Sequence, residues 1–249
     1  MSLPPPLAPL EMSIAASDGL VLKGVLVYPE SPVGKRYPLA VLAHQYPATA
    51  DSFAPLVDDL LDLGVAALGF DQRGHGASVQ TPKGPLLIDS PVGFTLEAFG
   101  AAFMSSVRKV GFDRIDDDII RVASWGAAQN FIDGARLLLI GASVGGSGVV
   151  LAAPKVPGLV GLITLGAAGE AVWGTDGREQ GRRAIQQIEA HGLLASSEGD
   201  PFAGAANVRA WSQGLKGVTS RIVPGDAHAM AIYYDVRDDV VAFVHRVIE

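Results

Sequence analysis

Ser143 carries the clearest chemical signal in this sequence. It is the centre of Gly141-Ala142-Ser143-Val144-Gly145, a G-x-S-x-G pattern. Five residues of this form recur by chance in a chain with 30 glycines, so the flanks matter. The apolar run Leu137-Leu138-Leu139-Ile140 precedes it, and a small-residue helix start from Gly146 follows. A serine on such a tight strand-to-helix turn is held in a strained conformation with its hydroxyl exposed. Small residues two positions either side let the backbone turn that sharply. The helix N-terminus then sets N–H groups and the positive end of its dipole where an oxyanion would form. Val144 supplies the first of those N–H groups. A hydroxyl also needs a base, and the base needs an orienting acid. The chain offers five histidines.

These residues have to be held by a scaffold, and the apolar pattern says which kind. Ser17-Asp18-Gly19 is a turn between Met12–Ala16 and Leu20–Tyr28, which read as a hairpin. Short, continuous apolar runs follow at Leu39–Ala43, Val65–Phe70, Arg136–Ile140, Leu159–Leu165, Leu193–Ala195 and Thr219–Val223. Runs without alternation suit strands buried on both faces, as in a parallel sheet. Helical patterns lie at Ser52–Leu63, Asp118–Phe131, Gly146–Ala153, Arg178–Ala190, Pro201–Gly214 and Asp235–Ile248. The expected fold is α/β: a mostly parallel eight-stranded sheet with helices on both faces. The expected organisation is a flexible Pro-rich arm over 1–10, then a single domain over 11–249. The long segment Val79–Asp117 holds Phe94, Phe99, Phe103 and Met104. They suit either a pocket wall or an ordinary amphipathic helix.

From about Met12 onward the sequence resembles the α/β-hydrolase superfamily, in its esterase, dienelactone-hydrolase-like and acyl-peptidase-like branches. The resemblance rests on the G-x-S-x-G turn, Asp18-Gly19-Leu20 and Asp71-Gln72-Arg73-Gly74-His75-Gly76-Ala77-Ser78. Val223-Pro224-Gly225-Asp226-Ala227-His228 adds to it. It implies the order nucleophile, acid, histidine. His228, in the loop after the last expected strand, is then the base. His44 and His75 are expected to be structural, His191 to sit at the end of a helix and face solvent or cap that end, and His245 to lie in the last helix. The family's A-S-x-x-D-P pattern falls on Ala195-Ser196-Ser197-Glu198-Gly199-Asp200-Pro201 and makes Asp200 the acid. Glu198 is the runner-up, and a helix cap is the plainer role for Asp200. Asp226 lies too close to His228 in sequence to reach its ring.

The resemblance also implies an oxyanion hole from the Val144 and Tyr46 N–H groups. The family usually reads H-G-x where this chain reads His44-Gln45-Tyr46. Gln45 therefore either enters the site or turns outward, and the Tyr46 ring either walls a pocket or packs in the core. Trp173 and Phe202 are further candidate substrate contacts. The 166–191 connection leaves room for only a small lid.

The expected function is a serine hydrolase acting on a small-molecule carboxylic ester through an acyl-enzyme, with no cofactor and no metal. A non-catalytic receptor or scaffold on the same fold is the rival. Peptidase or perhydrolase action on the same residues also stays open. A chain without cysteine has no disulfide, thiolate metal site or Cys nucleophile. No H-E-x-x-H spacing occurs, and the Gly-rich turn lacks a P-loop lysine. A net charge of −7 without a basic run argues against nucleic acid. No apolar stretch is long and unbroken enough for a membrane helix. MSLPPPLAPLE has neither a basic start nor an apolar centre, so a cytoplasmic location is expected. A homodimer is left open.

Overall fold

The computed structural model describes residues 9–29, 36–93 and 95–249. Its first strands, β1 (Leu10–Ala15) and β2 (Val21–Val27), form the antiparallel hairpin expected around Asp18-Gly19. Gly19 turns it with φ +85°. Then come β3 (Tyr37–Ala43), α1 (Ala54–Asp62), β4 (Ala66–Phe70) and the two-residue strands β5 (Gln80–Thr81) and β6 (Gly84–Pro85). They lead to α2 (Leu96–Val110), α3 (Ile115–Ala127), β7 (Ile132–Ala142) and α4 (Val144–Ala152). The chain continues through β8 (Leu159–Leu165), α5 (Gly177–Gln186), β9 (His191–Ser197), α6 (Gly204–Ser212), β10 (Val218–Val223) and α7 (Tyr233–Ile248).

The strands form one sheet in the order β10-β9-β8-β7-β3-β4-β2-β5-β6, with β1 also on β2. Every neighbour from β10 to β4 is parallel, and the β2 pairings are antiparallel. The eight long strands are the expected hairpin and the six apolar runs; the short β5–β6 hairpin is additional.

The continuous apolar runs have the predicted cause. Leu39, Val41 and Ala43 of β3 pack into one core, with α2 to α6. Ala40 and Leu42 pack into the other, with α1 and α7. Both faces are dry, so no position alternates to polar.

Several expectations need correction. Asp118–Phe131 is helical over Ile115–Ala127 instead, and Phe131 has left the helix. The helix expected from Arg178 ends at Gln186, so His191 does not end it; it is the exposed first residue of β9. The helix expected at Pro201 starts at Gly204. The Pro-rich arm lies outside the described residues up to position 8, and Leu10 already belongs to β1. Phe94 also lies outside them. The 166–191 connection is small, as expected: a 3-10 turn over Glu170–Trp173 and α5. No described helix is long and apolar enough to cross a membrane.

Candidate active site

The C-terminal ends of β7, β9 and β10 deliver three side chains to one point. Ser143 follows β7 and opens α4 with φ 51° and ψ −121°. Its backbone N–H bonds Leu165 O at 3.1 Å, and its carbonyl accepts from Ser147 and Ala168. The turn is tight enough to exclude side chains beside it. A Cβ on Gly145 would lie 2.2 Å from Ala43 O, and one on Gly141 would lie 2.4 Å from Gly145 O. The two motif glycines are therefore close-approach positions.

His228 Nδ1 lies 2.8 Å from Asp200 Oδ2, and its Nε2 lies 2.8 Å from Ser143 Oγ. With Nδ1–H donating to the carboxylate, Nε2 is left to accept the serine hydroxyl. The Asp200 side chain is fully buried and that of His228 is 17% exposed. Asp200 Oδ2 also accepts from Ser196 Oγ at 3.2 Å, and Oδ1 from the Phe202 N–H at 2.8 Å. The carboxylate thus braces its own turn while holding the imidazole, but it does not cap α6, whose preceding residue is Ala203. The alternatives are elsewhere: Glu198 pairs with Arg209 at 2.5 Å, and Asp226 is exposed.

The surroundings of this line contain residues the sequence did not flag. Ser143, Ala203 and Ala229 are the non-glycine residues with positive φ among the described ones. All three adjoin the Ser143–His228–Asp200 line, and such backbone is costly enough to gather where geometry matters. A Cβ on Gly166 would lie 2.9 Å from Asp200 Oδ2. Asn207, fully buried, donates to Ala167 O at 2.7 Å, and Ser147 Oγ donates to Ala168 O at 3.0 Å. Together they pin the strand-end loop under the pocket. A polar residue on the inner face of α6 was the only signal for Asn207.

Beside Ser143 opens a pocket of about 140 Å³, lined by Tyr46, Phe99, Gly100, Phe103, Ser143, Ala168, Gly169 and Phe202. The Tyr46 ring stands 5.3 Å from both Phe99 and Phe103, edge to face, and its hydroxyl donates to Asp89 O. Burial holds its phenol above the ordinary pKa. Phe202 packs 4.6 Å from the His228 ring and 5.1 Å from Phe99. Gln45 and Trp173 do not line this pocket. The Val144 N–H is the first of α4 and has no partner within its helix. Tyr46, in the loop after β3, lines the same pocket.

His44 and His75 hold the loops behind. His44 Nε2 accepts the Gln72 N–H at 2.8 Å, and His75 Nδ1 donates to Arg73 O at 3.0 Å. Burial pushes His44 down to about 3 and His75 to about 4, so both are neutral. Arg73, fully buried, binds Asp118 through Nε at 2.7 Å and Nη2 at 3.0 Å, and reaches Val110 O and Asp18. It ties α2, α3 and the first hairpin to the turn after β4. Among the described residues, no group of three His, Asp or Glu side chains is arranged to hold a metal.

The arrangement sets a hydroxyl against an unprotonated imidazole nitrogen, beside a free helix N-terminus and an apolar pocket. Comparison with known proteins points the same way. The model of the family described as "Serine aminopeptidase, S33" matches residues 35–191. A sequence search of curated proteins finds no match. Among solved structures, the chain is similar to a dienelactone hydrolase from Anabaena variabilis, at 16% identity and TM-score 0.64. That match covers 97% of this chain and 99% of the other. An acetyl xylan esterase from Paenibacillus sp. R4 is 17% identical with TM-score 0.68, covering 95% and 83%. The esterase domain of a Rhodothermus marinus protein is 16% identical with TM-score 0.66, covering 98% and 100%. These likenesses show the fold. The family match spans more than half of the chain, and the protein belongs to the S33 serine aminopeptidase family of α/β-hydrolases.

Proposed function

We propose that this protein cleaves carboxylic esters through an acyl-enzyme on Ser143. The observation that carries the reading is the unbroken line from Asp200 through His228 to the Ser143 hydroxyl. His228 Nε2 takes the hydroxyl proton as Oγ attacks the ester carbonyl. The N–H groups of Val144 and Tyr46 hold the oxyanion. Imidazolium, held by Asp200, returns the proton to the leaving alcohol. Water, deprotonated by His228, then attacks the acyl-enzyme and releases the acid.

The pocket lining favours esters over free amino-terminal peptides. A cationic amine needs an anionic partner in a desolvated site. No carboxylate is among the eight lining residues. The family's aminopeptidase description is thus a weaker guide than the pocket itself, since one fold carries many activities.

The test is labelling of the intact protein with a fluorophosphonate, read by peptide mapping. One label at Ser143 is expected, with loss of labelling in His228→Ala. Absence of label in the folded wild type would favour a non-catalytic receptor. Parallel turnover of p-nitrophenyl esters and anilides is expected to favour the esters; the reverse would favour a peptidase.

A further inference from the structure

We infer that Gly100 sets the size of the acyl group this protein accepts, and that it admits short-chain or phenyl-sized apolar acyl groups. The inference rests on Ser143 being the nucleophile.

Gly100 is the fifth residue of α2, within the helix. Glycine there is unfavourable relative to alanine, because it loses more backbone freedom on folding. Nearly all other described glycines have a visible reason for their small size: a positive φ, or an atom closer than 3.4 Å to where a Cβ would stand. Gly134 has only ordinary contacts, the nearest at 3.6 Å, but its Cβ would still meet neighbouring atoms. Gly100 alone among them has neither a positive φ nor any atom within 4 Å: its Cβ direction is open space. Helix packing and backbone conformation therefore do not call for it.

Gly100 borders open space and also lines the pocket beside Ser143, together with Phe99 and Phe103, which lie on the same face of α2. The remaining walls are Tyr46, Ala168, Gly169 and Phe202, so the cavity beyond Ser143 is apolar and largely aromatic. Its volume is about 140 Å³. An apolar cavity of about 150 Å³ takes up benzene. A phenyl ring or a short alkyl chain fills this space, and a larger side chain at position 100 would compete for it.

The pocket is assigned to the acyl side by its boundaries. The leaving oxygen has to meet His228 Nε2 to be protonated. Ser143 borders the pocket and His228 does not. The part of the substrate that stays on Ser143 is the part that faces this cavity.

The experiment compares wild type, Gly100→Ala and Gly100→Leu with p-nitrophenyl acetate, butanoate and benzoate. The readout is the ratio of kcat/KM for butanoate or benzoate to that for acetate. One methylene in an apolar pocket changes kcat/KM by about 10- to 200-fold. In Gly100→Leu the ratio is expected to fall at least about tenfold, with a smaller fall in the same direction in Gly100→Ala. Near-UV circular dichroism reports folding, and if the leucine variant fails to fold, the alanine variant decides. Unchanged ratios, with Ser143 still labelled by a small fluorophosphonate, would overturn the assignment of Gly100 and leave the esterase reading standing. No ester turnover and no label in the wild type would overturn both.

Discussion

Ser143 and Phe103 face the same pocket, yet they stand on elements of different kinds. Ser143 rises from β7, in the middle of the sheet, between parallel neighbours β3 and β8. The last six positions of that strand, Leu137 to Ala142, are all buried. Phe103 stands on α2, a helix with exposed Leu96 and Met104 and with only Ser106 and Val110 buried. The Ser143 hydroxyl is thus held by close-packed strands, whereas the aromatic wall of the pocket is carried by a half-exposed helix. Chemistry needs positions held to fractions of an ångström, and a central sheet supplies that. A substrate wall can vary without disturbing the core, which fits a fold that hosts many substrates.

The difference can be pressed from both sides. Ser143→Ala is expected to lower ester kcat by about 10⁶-fold while the thermal unfolding midpoint stays near that of the wild type. A purified variant with wild-type turnover would remove Ser143 from the mechanism. The next effect is on the tie between wall and platform. Asp118→Asn leaves Arg73 charged, buried and without its bidentate partner. A loss of about 3–5 kcal/mol in urea unfolding is expected. A loss below about 1 kcal/mol would mean that Asp18 alone suffices to hold the guanidinium.

A smaller effect comes from the two neutral histidines behind the platform. Their folded values, about 3 and about 4, lie below the ordinary 6.5. Between those limits the unfolded chain binds more protons than the folded one, so stability rises with pH. It is complete above about pH 6.5 and is lost as pH falls toward 4 and 3. Each histidine is expected to account for about 2 kcal/mol between pH 7 and pH 5. His75→Gln should flatten that slope by the same amount in urea titrations; an unchanged slope would mean that His75 titrates normally.

Much of the platform was legible in the residues. The apolar runs located six of the eight long strands, because burial of both faces across the middle of the sheet leaves a continuous signature, and the turn at Asp18-Gly19 located the other two. The G-x-S-x-G turn is equally local: its glycines are dictated by backbone approaches of under 2.5 Å within a few residues and to β3. The wall was not legible. Phe99 and Phe103 have helical spacing, and that spacing is the same whether the face meets a core or a substrate. His191 was misplaced because Gly192 reads as a helix stop, while in the structure it pairs with Val218 in the sheet. Asn207, Gly166 and Ala229 act at the site through contacts across loops, for which no short pattern exists.

The sequence by itself determined the strand positions and the sharp turn at Ser143, since each follows from local periodicity or local sterics; the order of the groups around it came only from the family resemblance. Only the tertiary structure decided that His228 meets Ser143, 85 residues away, and Asp200, 28 residues away, each at 2.8 Å. It alone set α2 over the serine and left a space at Gly100. Those outcomes depend on how parallel strands align their C-terminal ends and how loops pack above them, and distant chain segments share no local signature.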